Sequence, residues 1–460
     1  MLDTAREPPR RAGARRPTAA EKIDRLIAAI DRALTAEINA VIHHPDFQAL
    51  EARWRGLHGL VAGASAAPGA KVKVLSVSWR ELSRDMERSV EFDQSRLFEL
   101  VYGQEFGMPG GEPYGLLVGD YAVGHRAEGP GRPDDVGALR ALAGVAAAAF
   151  APLLVQARPE LLQLDGFAEL DTLPELAGVF ESADFIRWQA LRAWEDARFL
   201  GVLAPRVLMR TPLRPHDRRR IDGFMFEESV TASGAELLWG NPAFAFAGVV
   251  VRAFARSGWF ADLRGAPQDE DGGGLVTDLP TPSFATDRPG LAAQAPVEVR
   301  LTGAQERALA DHGLVPVGCA PSTPWPVFNA NPSLHRPPRS RDRAADENTR
   351  LACMLQYVLC ASRFAHYLKV MMRDRVGSLG GAPAIEALVG GWLARHCLGS
   401  DDAPAELKAR FPLRSASVEV RELPGRPGVL GCLLRLQPHF QLDDVTASFQ
   451  LVAEVSTAAA

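Results

Sequence analysis

An α/β (α+β) fold, closed by a small separate C-terminal sheet, is what this 460-residue sequence predicts. Three observations lead there. Apolar residues recur at helical spacing through several long segments. Short apolar or alternating runs bounded by glycine and proline lie between them and read as strands. From about residue 416 onward the helical period gives way to sustained alternation, which sets the end of the chain apart from the rest. The expected organisation is a disordered basic tail over 1–21, an N-terminal helical pair over 22–66, an α/β body over 67–400 and a C-terminal sheet domain over 401–460.

The elements follow in order. Ile23, Leu26, Ile27, Ile30, Leu34 and Ile38 predict an amphipathic helix over 22–42. Pro45 cannot continue it, so "HHPDF" marks a corner. Asp46 opens a second helix with Phe47, Leu50, Trp54 and Leu57 on one stripe. "KVKVLSVS", 71–78, alternates and reads as a strand, followed by a helix carrying Leu82 and Met86. "YGLLVGDYAVG", 114–124, reads as a buried strand. The alanine-rich stretch 134–156 reads as one helix, and Phe185, Trp188, Leu191 and Trp194 place another over 184–195. "PRVLMRTP" reads as a strand leading into the basic loop "RPHDRRR". "NPAFAFAGVVVRAFARSGWF" opens with Asn-Pro and is apolar almost all round, so it reads as a buried helix. "DEDGGGLVTDLPTPSF" is a loop, 304–312 a short helix and 316–340 a long loop. Residues 347–376 read as the longest helix, ending at Gly377, with another over 383–398. Three strands near 416–423, 429–437 and 446–455 close the chain, the first two joined by a Pro-Gly turn.

Composition narrows the function. Hydrophobic residues make up 47% and charged residues 23%, as in a globular protein. A formal net charge of −5 and a pI near 6.1 argue against broad nucleic-acid binding. Five widely spaced cysteines, none in a CxxC pair, suggest free thiols in a reducing compartment rather than a disulfide or zinc framework. No apolar run approaches a membrane span and the N-terminus lacks an apolar signal core, so no membrane insertion and a cytoplasmic location are expected.

No phosphate loop, HExxH or GxSxG motif is present. His43, His44 and His58, with Asp46 or Glu51, match no zinc spacing. They read as cap and corner residues, together with Pro45. His366 and Cys360 stand six apart on one helix and make poor co-ligands. Asp120 and Tyr121, at a strand end, read as fixing a loop. Trp54, Trp239 and Trp259 read as core or interface anchors. Catalytic, cofactor and metal sites are therefore expected to be absent. The terminal sheet carries a different signal, since edge strands offer unpaired main-chain groups to another chain.

Long stretches then become recognisable: "LEARWRGLHGLV" after the "HHPDF" corner, "FDQSRLFELVYGQEFGMPGGEPYGLLVGDY", "WGNPAFAFA", "GWFADLRG", "GGGLVTDLPTPSF", "SRFAHYLKVMMRDRVGS" and "FPLRSASVEVRELPGRPGVLGCLLRLQPHFQLDDVTASFQLVAEV". In order, from about 22 to 455, they resemble the large subunit of the type VI secretion contractile sheath (TssC/VipB, EvpB family). The resemblance implies a structural role without cofactor. Its implied partners are a small sheath subunit (TssB/VipA type), neighbouring copies of the chain, an inner tube protein (Hcp type), a baseplate and a AAA+ unfoldase. It also implies a handshake-type C-terminal sheet whose strands, containing Val418, Val420, Leu434, Leu436, Phe449 and Leu451, link protomers. Family members usually carry a helix and a valine-rich arm before the equivalent of Lys22. Here "MLDTAREPPRRAGARRPTAA" has no strand-like run, which leads us to expect binding of the small subunit but weak tethering of neighbours. The alternatives are a sheath component of a phage-like contractile particle, and a cytoplasmic enzyme using Asp120, Tyr121 and nearby histidines.

Overall fold

A computed structural model describes residues 18–126, 133–172, 176–214, 224, 226–231, 234–267, 271–281, 294–321, 323–338, 342–373, 381–400, 402–422, 429–439 and 449–456. The chain divides into two compact units, residues 1–50 with 212–237, and residues 51–211 with 238–460.

The first unit is built on helix α1 (Ala19–Ile42). Thr18 and Glu21 form a reciprocal capping box at its start, each side chain bonding the other's main-chain N–H. Near its end the Asn39 side-chain oxygen accepts the main-chain N–H of Ser229 at 3.0 Å. Glu228 is buried and accepts the N–H of Leu213 at 2.7 Å. Helix α2 (Pro45–Ser65) begins in this unit with proline at its first position.

The second unit contains a four-stranded parallel sheet, ordered β1 (Leu117–Val123), β2 (Leu153–Ala157), β3 (Leu200–Ala204), β6 (Leu314–Pro316). Two apolar cores lie on its two faces, and the strands feed them alternately. Leu153, Val155, Leu200, Val202 and Leu314 enter one core, while Leu154, Leu203 and Val315 enter the other. Burial on both faces explains why β3 reads as an unbroken apolar run, "LGVLA". The first core is covered by α3 (Trp79–Arg88), α5 (Asp135–Ala148) and α6 (Ile186–Ala193). A short α4 (Arg96–Phe98) runs between them into a π-helix over Glu99–Gly107. The second core is covered by α7 (Pro242–Ser257), capped by the Asn241 side chain on the Ala243 N–H. Two small antiparallel pairs, β4 (Val207–Arg210) with β5 (Leu238–Gly240) and β7 (Gly318–Cys319) with β8 (Pro326–Val327), flank it, and α8 (Gly303–Asp311) precedes β6.

Helices α9 (Arg343–Ala352), α10 (Leu355–Arg373), α11 (Gly381–Ala394) and α12 (Ala405–Arg410) lead to an antiparallel meander, β9 (Leu413–Glu422), β10 (Val429–Pro438) and β11 (Phe449–Ser456), with β10 central. α10 crosses all three cores. Val358 packs in the first, Leu355 and Leu359 in the second, and Phe364, Leu368 and Met372 in a third beneath the meander.

Several sequence expectations need correction. Residues 71–78 form no strand. Lys71 and Lys73 pair with Glu112 and Glu105, the Val77 carbonyl accepts the Tyr121 hydroxyl, and Val74 and Leu75 stand exposed. The helix expected over 134–156 stops at Ala148, because Pro152 and a left-handed Phe150 turn the chain into β2. The helix expected over 347–376 is two. Around Cys353 the main chain bonds outward, with the Leu355 N–H on the Asn331 carbonyl and the Ser333 N–H on the Cys353 carbonyl. On α2 the exposed and half-buried stripe is Phe47, Leu50, Trp54, Leu57 and Val61, whereas Ala52, Gly56, Leu60 and Ala64 are buried. A Cβ on Gly56 would fall 2.5 Å from the Phe244 ring, so glycine there allows close approach. The long loop over 316–340 contains the β7–β8 hairpin, and β3 went unnoticed in the sequence. The Pro-Gly turn, the end at Gly377 and "RPHDRRR" beyond Arg214 lie outside the described residues.

Candidate functional site

The C-terminal meander keeps one register along β10 as far as Gln437, with a shift against β9 at Pro438. On its inner face Cys432 pairs with Val420, Leu434 with Val418 and Leu436 with Ala416. Cys432, Leu434, Leu436 and Val420 are buried against Phe364 and Leu368 of α10 and Ile385, Val389 and Leu393 of α11. On the outer face Leu433 pairs with Glu419, Arg435 with Ser417 and Gln437 with Ser415, so that face is mostly polar. This alternation, apolar inward and polar outward, is that of an antiparallel sheet with one wet face. Across the other side of β10, Leu434 pairs with Leu451 and Leu436 with Phe449 in β11.

Val418, Val420, Leu434, Leu436, Phe449 and Leu451 therefore all lie in the meander. The first four turn toward the core and hold the sheet to α10 and α11. What the sheet offers outward is its edges. Among the described residues β9 and β11 pair with no further strand, save one bridge between Leu413 and Cys397 at the start of β9. The N–H and C=O groups along such edges are main-chain donors and acceptors for an added strand.

The N-terminal corner is built from different parts. His43 caps α1, its main-chain N–H bonding the Asn39 carbonyl, and its Nε2 lies 3.2 Å from the Glu228 carboxylate. His44 Nδ1 accepts the Asp46 N–H at 3.3 Å, capping α2 ahead of Pro45. His58 is exposed farther along α2. His43 and His44 thus serve two different helix ends, and among the described residues no group of three or more His, Cys, Asp or Glu side chains is placed to hold an ion.

The strand-end pair is tied down. Asp120 accepts from Arg53 Nε at 2.7 Å and from Asn241 Nδ2 at 3.3 Å. The Tyr121 hydroxyl donates to Val77, and burial, the largest cause, with the Asp120 charge pushes its pKa up to about 12. Trp54 is 62% exposed, Trp239 is half-buried in β5, and Trp259 is buried against Phe364 with ring centroids 4.2 Å apart. Cys360 and His366 are both buried in α10. Burial raises the thiol to about 12 and lowers the imidazole to about 4.

Sequence reading missed two buried groups. One is Glu228, which the corner histidine meets. The other is Asp135, which accepts Trp79 Nε1 at 2.8 Å and the Gly124 N–H at 2.9 Å and pairs with Arg158, drawing α3, β1, β2 and α5 together. The acidic pair at the start of α5 signals a helix N-terminus, but nothing local announces that Asp135 is buried. The glycine run also has a structural basis. Gly273 is left-handed (φ 55°), and a Cβ on Gly274 would lie 2.3 Å from the Phe328 carbonyl.

Comparison with known proteins agrees with the sequence resemblance. Residues 24–335 match the family described as EvpB/VC_A0108, tail sheath N-terminal domain. Residues 344–455 match EvpB/VC_A0108, tail sheath gpW/gp25-like domain. The type VI secretion system sheath protein TssC1 of Pseudomonas aeruginosa is 35% identical over 444 residues, covering 96% of this chain and 87% of its own. A chain in the cryo-EM structure of the anti-feeding prophage (AFP) baseplate aligns with a TM-score of 0.35 and 11% identity over 69% of this chain and 66% of that one, a level from which nothing follows. The chain belongs to the EvpB/VipB tail-sheath family of type VI secretion systems, and is a sheath protein of the TssC type.

Proposed function

We propose that this chain is a structural, non-catalytic subunit of a cytoplasmic contractile sheath. It pairs with a small sheath subunit, polymerises with copies of itself around an inner tube on a baseplate, and drives the tube outward on contraction. A AAA+ unfoldase then recycles it. Residues 67–400 form the body and 401–460 the sheet that links protomers. Family membership supports the sheath role, and the pinned strand-end residues Asp120 and Tyr121 give no support to the enzyme alternative. The observation that carries the linking role is that, among the described residues, the edges β11 and most of β9 pair with no further strand, on a sheet whose apolar face is already covered. A strand added there gains main-chain hydrogen bonds of about 1 kcal/mol each without disturbing the core.

Adjacent prolines test this. N–H groups of successive strand residues point to opposite edges, so of Gln450→Pro and Leu451→Pro one removes a bond to β10 and the other an outward donor. Each is co-expressed with the small sheath subunit. The outward variant is expected to fold like the parent by circular dichroism yet to form few or no tubes in negative stain. Normal tubes from that variant would remove the proposed role of β11.

A further inference from the structure

Near the end of α6, Arg192 is 2% exposed, and among the described residues its guanidinium meets main-chain carbonyls instead of a carboxylate. Nε donates to Leu334 at 3.3 Å, and Nη2 donates to Asp311, the last residue of α8, at 3.0 Å. The Arg192 carbonyl in turn accepts the Arg336 N–H at 2.7 Å, while the Leu334 N–H reaches Leu200 of β3 at 2.8 Å. One buried cation thus clips together α6, the end of α8 and residues 334–336.

Two histidines sit in the same clip. His312 follows α8, with its ring stacked on Phe180 at a centroid distance of 4.2 Å and its Nδ1 at 2.7 Å from the Ala308 carbonyl. His335 is 9% exposed, and its Nδ1 lies 2.8 Å from the Trp194 carbonyl and 3.1 Å from that of Arg192. A carbonyl can only accept, so both rings carry their hydrogen on Nδ1 and would take an acid proton at Nε2. The surroundings disfavour that proton. Arg192, Arg336 and Asp311 act on His312, and Arg198 and Glu195 act on His335. Both carboxylates are already engaged, Asp311 by Arg350 at 2.8 Å and Glu195 by Arg198 at 2.5 Å. Burial is the largest cause of a lowered pKa at each imidazole, and the arginines add to it against the opposing carbonyl bonds.

We propose that proton uptake at His312 and His335 opens this clip, releasing the end of α8 and residues 334–336 from Arg192 while the parallel sheet stays folded. Closed, the clip would hold two imidazolium rings beside a desolvated guanidinium with no carboxylate to spare; open, all three charges reach water. The closed form is therefore favoured fully above pH 6.5, where the released imidazoles are also neutral, and loses that advantage as pH falls below it. This switch is independent of the sheath role and is tested on the chain alone.

Amide hydrogen exchange of the full-length chain, corrected for the intrinsic effect of pH and read by mass spectrometry, compares segments 308–313 and 333–336 with residues 138–146 of α5. From pH 7.5 to 5.5 the protection of both segments is expected to fall by up to about tenfold for each histidine, since pH 5.5 lies about one unit below the ordinary imidazole value. At pH 5.5 both are expected to exchange faster than residues 138–146. His312→Gln with His335→Gln is expected to remove the acid response. Exchange of the imidazole C2 hydrogens in the parent chain needs no variant, and is expected to place both rings below the ordinary value. A fall in protection of less than about twofold, an equal response in a variant that folds like the parent by circular dichroism, protection lost only together with that of residues 138–146, or either imidazole titrating at its ordinary value would each overturn the switch.

Discussion

Asp135 shows how a single side chain organises this fold. Its carboxylate is 4% exposed and holds an indole N–H, a main-chain N–H and a guanidinium from three separate elements. Removing one member of a buried pair leaves the other charge without compensation, which costs about 3–5 kcal/mol. Asp135→Ala is therefore expected to lower the unfolding free energy by that amount, read in urea melts as a lower midpoint with an unchanged slope. A loss below about 1 kcal/mol would mean that Arg158 finds other partners. At this scale the sequence was only half legible. The corner residues His43, His44 and Pro45 could be placed because proline and caps act locally. The partners Glu228 and Arg158 could not, because they lie 185 and 23 residues from His43 and Asp135 respectively.

Among the elements, α10 carries the clearest pH signature. His366 donates its Nε2–H to the Ala149 carbonyl at 2.9 Å, and burial holds its pKa at about 4 against an ordinary 6.5. Below pH 6.5 the unfolded chain takes up a proton that the folded chain refuses until about pH 4. The resulting stability is thus fully present above 6.5 and is lost as pH falls toward 4. The loss from this residue is about 2 kcal/mol at pH 5. Burial also lowers His125, His312, His335 and His396, so the total slope is steeper. His366→Gln keeps a donor for Ala149 and cannot titrate. Its stability is expected to fall less steeply between pH 6.5 and 4, by about one proton, in denaturant melts across that range. A slope equal to the parent's would show that His366 does not refuse the proton.

Element by element, the helices were the most legible part of the chain. Their period and their start signals, such as Asn241-Pro242, are local and redundant. The strands were less so. β3 was missed because a five-residue run buried on both faces has no alternation to detect. Residues 71–78 misled for the opposite reason: alternation was present, but lysine–glutamate pairs and one hydroxyl bond hold that segment in place of a ladder. The break between α9 and α10 has neither glycine nor proline at residues 353–354, and arises from main-chain bonds to residues 331–333.

For the whole molecule, α10 ties the terminal sheet to the body. The family matches change between residues 335 and 344, yet α10 beyond that point reaches into both cores of the parallel sheet before it supports the meander. Among the described residues, packed side chains of α10 therefore join the sheet of β9 and β10 to the body. The meander itself was legible from its alternation, and its inner and outer faces follow from the pleat. That such a sheet has edges was legible too, but that β10 is central, with β9 and β11 at the edges, was not, because strand order depends on which strands find each other. No helix among the described residues is long and apolar enough to cross a membrane, and the sheet edges are the surface we assign to other chains.

The most direct measurement of the central claim is a cryo-EM reconstruction of this chain co-expressed with the small sheath subunit, at a resolution that traces strands. The account predicts a helical particle in which a strand from another polypeptide lies hydrogen-bonded along β9 or β11. A particle with both edges facing solvent, or a stable one-to-one complex that never polymerises, would contradict it.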